Sequence, residues 1–284
     1  MKKIVALTAI LSIMLTGCNQ LQPYLEKIPF LQKEESAKEQ LDENKQPQEV
    51  SAKEEDSGTA KNNDSPENDI PSLEANYFNE IMTVDGKRII QNPTNHMVLV
   101  NKQFALPDGY APEDLIRPAV LFSFGEQDIE KAYLRDEAAK ALEAMFTEAK
   151  KQEIHLFAVS GYRSFDRQRA VFDAEVSKYG EDKAIQAVAF PGSSEHQTGL
   201  AMDISSQSAN FELSEEFGET PEGKWAAENA HRFGFILRYP KGKEEITGYK
   251  FEPWHFRYVG KEAAAVIFEK QLTLEEYFEI VKKI

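Results

Sequence analysis

Apolar side chains recur at helical spacing between Glu130 and Lys151, with Ala138, Leu142, Met145, Phe146 and Ala149 on one side and charges elsewhere. That pattern predicts an amphipathic helix. Leu156-Phe157-Ala158-Val159 is a short unbroken apolar run closed by Ser160-Gly161, which predicts a buried strand. Asp166 to Lys178 and Glu181 to Val188 return to helical spacing, with Asp166 near the first N-cap, and Pro191-Gly192 closes them. Met97 to Val100, Leu200 to Ile204, Phe235 to Leu237 and a stretch within Tyr249 to Val259 predict further strands. Pro221 to Phe233 predicts a helix that carries Pro in its first turn and Gly234 just past its end. Lys261 to Lys270 and Leu274 to Lys283 predict the last two helices. Helices and short strands mix without a regular βαβ rhythm, so the expected class is α+β. One mixed domain over residues 76–284 is expected, with a small antiparallel sheet flanked by helices.

The first 75 residues read differently. Met1-Lys2-Lys3 is basic and Ile4 to Leu15 is apolar. That run is shorter than the roughly 20 residues a spanning helix needs, and it fits the core of a signal peptide, residues 1–17. It ends in Leu15-Thr16-Gly17-Cys18, which resembles the bacterial lipobox. Cleavage before Cys18 and acylation of that residue would hold the protein at the extracytoplasmic face of the membrane, through the lipid anchor only. Residues 18–75 then supply the lipidated Cys and an acidic tether. Between Gln32 and Asp69 the only large apolar residues are Leu41 and Val50, among twelve acidic and five basic residues. Such a stretch buries too little apolar surface to offset its conformational entropy, so it is expected to be disordered.

Charge and cysteine content narrow the function. The net charge of −15 argues against nucleic-acid binding, which needs Lys and Arg against phosphate. A single Cys excludes an internal disulfide framework and a Cys-only zinc cluster. Any metal chemistry falls to the five His and the carboxylates.

Three clusters can carry chemistry: Ser160-Gly161-Tyr162-Arg163-Ser164, Ser193 to Asp203, and Glu252-Pro253-Trp254-His255. His196, Asp203 and His255 offer two imidazoles and a carboxylate, a set that suits one Zn²⁺ with a fourth position open to water. A turn at Thr198-Gly199 would leave His196 in a loop and put Asp203 on the following strand. Glu252 could approach the metal if Pro253 bends the chain, and could serve there as general base. Serine catalysis is the competitor, but no Ser-x-x-Lys or Gly-x-Ser-x-Gly arrangement surrounds Ser160, Ser164, Ser193 or Ser194. His96, His155 and His231 read as packing or helix-end residues, Trp225 as core, and Trp254 as either wall of the site or a substrate contact. Glu195 could orient a ligand or lie exposed; Glu275 and Glu276 read as helix-end charges.

The pattern Ser194-x-His196-x-x-Gly199-x-Ala201-x-Asp203, followed by Glu252-x-x-His255, resembles the zinc peptidases related to VanY, with their LdcB-type L,D-carboxypeptidase relatives. The likeness runs from about Val98 to Val259. It implies that His196, Asp203 and His255 hold zinc, that Glu252 is the base, and that Arg163 faces the scissile carbonyl or the substrate carboxylate. It also implies that Gln168, Ser194 and Tyr239 line the substrate pocket. The implied activity is removal of the C-terminal D-alanine from peptidoglycan stem peptides, by a D,D- or an L,D-enzyme; separately, a monomer is expected. A wall endopeptidase of the same zinc class, and a non-catalytic wall-binding lipoprotein, are the alternatives.

Overall fold

The computed structural model describes residues 70–284. The signal peptide, Cys18 and nearly all of the tether lie outside the described residues. In chain order the strands are β1 (Ser72–Leu73), β2 (Ile81–Val84), β3 (Lys87–Ile90), β4 (Leu115–Ile116), β5 (Leu134–Arg135), β6 (Phe157–Ser160), β7 (Ala201–Ser205), β8 (Phe235–Leu237), β9 (His255–Tyr258) and β10 (Lys282–Lys283). The helices are α1 (Asp136–Lys151), α2 (Phe165–Tyr179), α3 (Glu181–Ala187), α4 (Pro221–Asn229), α5 (Glu244–Thr247), α6 (Lys261–Glu269) and α7 (Leu274–Ile280). This is the expected mixture of helices and small antiparallel sheets. No helix of the described residues is long and apolar enough to cross a membrane.

The functional scaffold is a four-stranded antiparallel sheet in the order β6-β7-β9-β8. Strand pleat gives it two unlike faces. Ala158, Met202, Ile204, Phe235, Phe256 and Tyr258 point into the main core, where they meet Leu142, Met145 and Phe146 of α1. Each such large side chain contributes about 1.5–3 kcal/mol by leaving water. Asp203, His255 and Arg257 alternate with those residues and therefore project from the other face. A second core, of Met97, Leu99, Ile236, Ala264, Ile267, Leu274 and Tyr277, packs α6 and α7 against the sheet.

Several boundaries differ from the sequence pattern. Met97 to Val100 is buried but joins no strand, since its backbone runs between the two cores and not along a sheet edge. The first long helix begins at Asp136, because Glu130–Ala132 forms one 3-10 turn and Leu134–Arg135 pairs with Leu115–Ile116. The α2 N-cap is Ser164, whose hydroxyl accepts from the Arg167 N–H, and not Asp166. Of the stretch from Tyr249, only His255–Tyr258 is strand; Glu252 to His255 is a turn. The β2–β3 hairpin turns at Asp85-Gly86, both at positive φ (49° and 78°).

Candidate active site

Strand register builds the centre. Asp203 on β7 is the direct cross-strand partner of His255 on β9, so their side chains leave the same face side by side. Residues 195–198 form a 3-10 turn that ends at Gly199 in the left-handed region (φ 67°), and this returns His196 over Asp203. A Cβ on Gly199 would also crowd Leu115 and Arg135. The turn at Thr198-Gly199 is therefore where the residue spacing placed it. His196 Nε2 lies 3.4 Å from Asp203 Oδ2, and His255 Nδ1 lies 3.1 Å from Asp203 Oδ1. One donor atom from each residue falls within 4.8 Å of the other two.

Both rings are held by their far nitrogens. The Nδ1–H of His196 donates to the Gly161 carbonyl at 2.8 Å, which leaves Nε2 bare and facing Asp203. That contact needs glycine at 161, since a Cβ there would run into the Tyr133 carbonyl oxygen. His255 Nε2 lies 3.4 Å from Glu195 Oε2, leaving Nδ1 toward Asp203. Imidazoles pinned in this way by an outer acceptor are oriented as metal ligands.

Glu195 is fully buried and not exposed; its Oε1 accepts from Arg238 Nε and from Arg257 Nη1, each at 2.8 Å. Arg238 continues outward to Glu275 on α7, at 2.6 and 2.8 Å, and Asn101 also donates to Glu275. Glu275 is thus the outer anchor of a buried ion network and not merely a helix-end charge. Glu276 does serve its helix, in a capping box with Thr273. The two arginines, which hold Glu195 behind the candidate site, were passed over by sequence reasoning. Their signal was present: a charged residue inside an apolar strand run needs a buried partner.

The electrostatics of the centre are uneven. Burial pulls the His196 pKa down to about 3, aided by Arg163 and His255 against Asp203. Burial also opposes charge on His255, but the adjoining Asp203 and Glu195 outweigh it and lift that ring to about 9. Glu252 sits 3.8 Å from His255 Nδ1, and burial with Asp203 and Glu195 nearby raises it to about 7. Glu195 stays well below the usual carboxylate range because the Arg238 and Arg257 charges overcome the cost of burying it.

These groups open onto a pocket of about 270 Å³ that Arg163, Gln168, Ser194, Tyr239, Glu252 and Trp254 also line. Arg163 donates from Nη1 to Gln168 Oε1 at 3.0 Å, and Tyr239 packs on the His255 ring with centroids 4.9 Å apart. The residues expected to hold metal, act as base or line the substrate pocket are therefore in one place, Cys18 lying outside the described residues. His231 instead stacks on Phe268, His96 packs against Tyr77 and His155 is exposed. Trp225 is buried and donates to Gln152, as a core residue does.

The donor set fits a small divalent cation. Asp203 Oδ1 is buried without a hydrogen-bond partner among the described residues, although an imidazole nitrogen faces it. Two nitrogens and one carboxylate with no thiolate suit zinc in a site that keeps an open position.

The chain is similar to several known proteins. The VanY profile, described as D-alanyl-D-alanine carboxypeptidase, matches residues 131–261. YodJ of Bacillus subtilis (strain 168), named as a carboxypeptidase, is 63% identical over 213 residues, covering 75% of this chain and 78% of that protein. A D-alanyl-D-alanine carboxypeptidase of Enterococcus faecalis is 38% identical over 197 residues, 66% of each chain. The LdcB LD-carboxypeptidase structure matches with a TM-score of 0.73 at 63% identity, across 75% of this chain and 99% of that one. A point mutant of the VanY D,D-pentapeptidase in complex with Zn(II) matches with a TM-score of 0.52 at 35% identity, across 64% of this chain and 98% of that one. The chain belongs to the VanY family of carboxypeptidases, and it is a peptidase.

Proposed function

We propose that the protein is a zinc-dependent L,D-carboxypeptidase that removes the C-terminal D-alanine from peptidoglycan tetrapeptide stems. It would work outside the cytoplasmic membrane, tethered through an acylated Cys18. The observation that carries this reading is the convergence of His196 Nε2, Asp203 and His255 Nδ1 beside Glu252 and Arg163 in one pocket. Preference for the L,D-bond is supported by the 63% identity to LdcB against 35% to the VanY D,D-pentapeptidase.

When bound by His196, Asp203 and His255, zinc supplies Lewis acidity that polarises a carbonyl and lowers the pKa of water to about 7. Glu252 takes a proton from the attacking water and passes it to the amine of the departing D-alanine. Its raised pKa suits both halves of that transfer near neutral pH. Arg163, steadied by Gln168, meets the terminal carboxylate or the developing oxyanion through a charge-assisted contact. Ser194 and Tyr239 wall the place of the terminal residue and exclude water from it.

The test is mass spectrometry of defined tetra- and pentapeptide muropeptides after incubation with the protein. The expected result is D-alanine release from the tetrapeptide, stopped by EDTA and restored by added Zn²⁺. Shortening of the pentapeptide alone would assign D,D-specificity, and an internal cut would assign an endopeptidase. Release that EDTA leaves unchanged would refute a metal requirement.

A further inference from the structure

A second concavity, of about 650 Å³, adjoins the catalytic pocket. Its lining includes Lys87, Arg88, Lys102 and Arg169, and among the described lining residues Asp108 alone is acidic. In a chain with 48 acidic and 33 basic residues, a four-to-one excess of cations runs against the composition.

The floor is laced by backbone bonds between three segments. The Ile90 N–H donates to the Ala105 carbonyl, Ala105 N–H to the Arg88 carbonyl, and Leu106 N–H to the Gly192 carbonyl, at 2.8–3.0 Å. Two guanidiniums lie on aromatic faces: Arg88 is 4.1 Å from the Phe104 ring centroid and Arg169 is 4.8 Å from that of Phe165. Stacking holds the planar fork in place and leaves its N–H edge for an anion. Among the described residues, Lys87, Arg88 and Lys102 have no carboxylate within salt-bridge distance, and Arg169 meets only the exposed Asp166 at 3.8 Å.

Groove and pocket share a wall. Ser193 lines one and Ser194 the other; the same holds for Arg169 and Gln168, and for Phe190 and Ala189. Lys102 Nζ reaches over the Tyr249 ring, at 5.0 Å, and Tyr249 itself lines the catalytic pocket. A stem peptide that crosses this wall in extended form advances roughly 3.3–3.6 Å per residue, carrying the residues upstream of the cut toward these cations.

We propose that this groove is the upstream arm of the catalytic cleft and binds a free carboxylate on the amino side of the scissile bond. The inference rests on the carboxypeptidase reading above, and it adds that the enzyme distinguishes acidic stems from amidated ones. The charged form docks on Arg88 and Arg169; the amide offers no counter-charge.

Two tetrapeptides test it, one with a free α-carboxylate on its γ-linked glutamate and one amidated there. For the wild-type chain kcat/KM is expected to favour the free acid about five- to tenfold, carried by KM, as for one charge-assisted contact near the surface. The ratio should fall toward one in Arg88→Gln/Arg169→Gln, survive in Arg88→Lys/Arg169→Lys, and shrink with added salt. Equal kcat/KM for both peptides in the wild type would overturn the inference while leaving the carboxypeptidase reading intact. Failure to shorten either peptide would withdraw both. Inhibition by poly(glycerol phosphate) without any preference between peptides would assign the groove to an anionic wall polymer, and the inference would fall.

Discussion

Glu195→Gln separates the metal site's support from its ligands. The substitution keeps size and shape but removes the charge that faces two arginines and an imidazole. With the amide oxygen kept toward the arginines and the NH2 toward His255, Arg238 would retain Glu275, whereas Arg257 would be left with uncharged acceptors only: that oxygen and the carbonyls of His96, Val98 and Tyr258. One fully buried guanidinium is thus left without a carboxylate. Breaking such a pair from one side costs about 3–5 kcal/mol, and in a domain of this size each kcal/mol moves the melting temperature by about 2–4 °C. The expected loss is therefore on the order of 10 °C in a thermal melt of the metal-free protein. His255 would also lose the acceptor that fixes its ring, for which about 10- to 100-fold in zinc affinity is expected, read by competition against a chelating dye. Glu275→Gln is the control: it strips only the outer end, Arg238 keeps Glu195, and both effects should be clearly smaller. Zinc affinity and melting temperature unchanged in Glu195→Gln would refute the idea that this network holds His255 in place. So would a larger loss in Glu275→Gln than in Glu195→Gln.

Glu252→Ala should retain zinc and the wild-type melt but lose about 10²–10⁴-fold in kcat, the usual worth of a general base; hydrolysis at the wild-type rate would remove Glu252 from that role. Because the base must be ionised, kcat/KM should fall on the acid side, with a midpoint below the metal-free value of about 7, since a nearby cation lowers it. A flat profile between about pH 5 and 8 would contradict this. Zinc binding should release about one proton at pH 8, because His255 titrates near 9 in the metal-free protein while His196 is already neutral. Calorimetry in buffers of different ionisation enthalpy measures that number, and zero release would disprove the assignment of His255 as the protonated ligand. Gly161→Ala forces a Cβ against the Tyr133 carbonyl and should cost about 1–3 kcal/mol by thermal denaturation, loosening His196 at the same time; a wild-type melt would show that the segment simply gives way.

What the sequence could disclose depended on how local each cause was. Pro221 and Gly234 bracket a helix through their own backbone preferences, and that helix ends in a 3-10 turn at Phe233, as the pattern indicated. Phe235 to Leu237 is a strand over its full stated length. The β2–β3 hairpin went unread because the two pairs next to its turn, Thr83–Arg88 and Val84–Lys87, are exposed on both strands, so no apolar alternation marks it. Asp85-Gly86 was nonetheless a local sign of a turn with positive φ. Met97 to Val100 misled for the opposite reason: its burial comes from two cores on either side, and burial alone does not distinguish an extended linker from a strand. The candidate ligand set was legible because the chemistry of two imidazoles and a carboxylate is written in residue types. The network behind it was not, since nothing local joins Glu195 to Arg238, Arg257 and Glu275, which are up to 80 positions away. It exists because β7 and β9 pair in a register that turns His255 and Arg257 to the same face, and because α7 closes over that face. A one-residue slip of β9 would send both side chains into the apolar core. The same register thus fixes the candidate metal ligands and the arginines behind them, so a change that loosens α7 should weaken zinc binding before it unfolds the sheet.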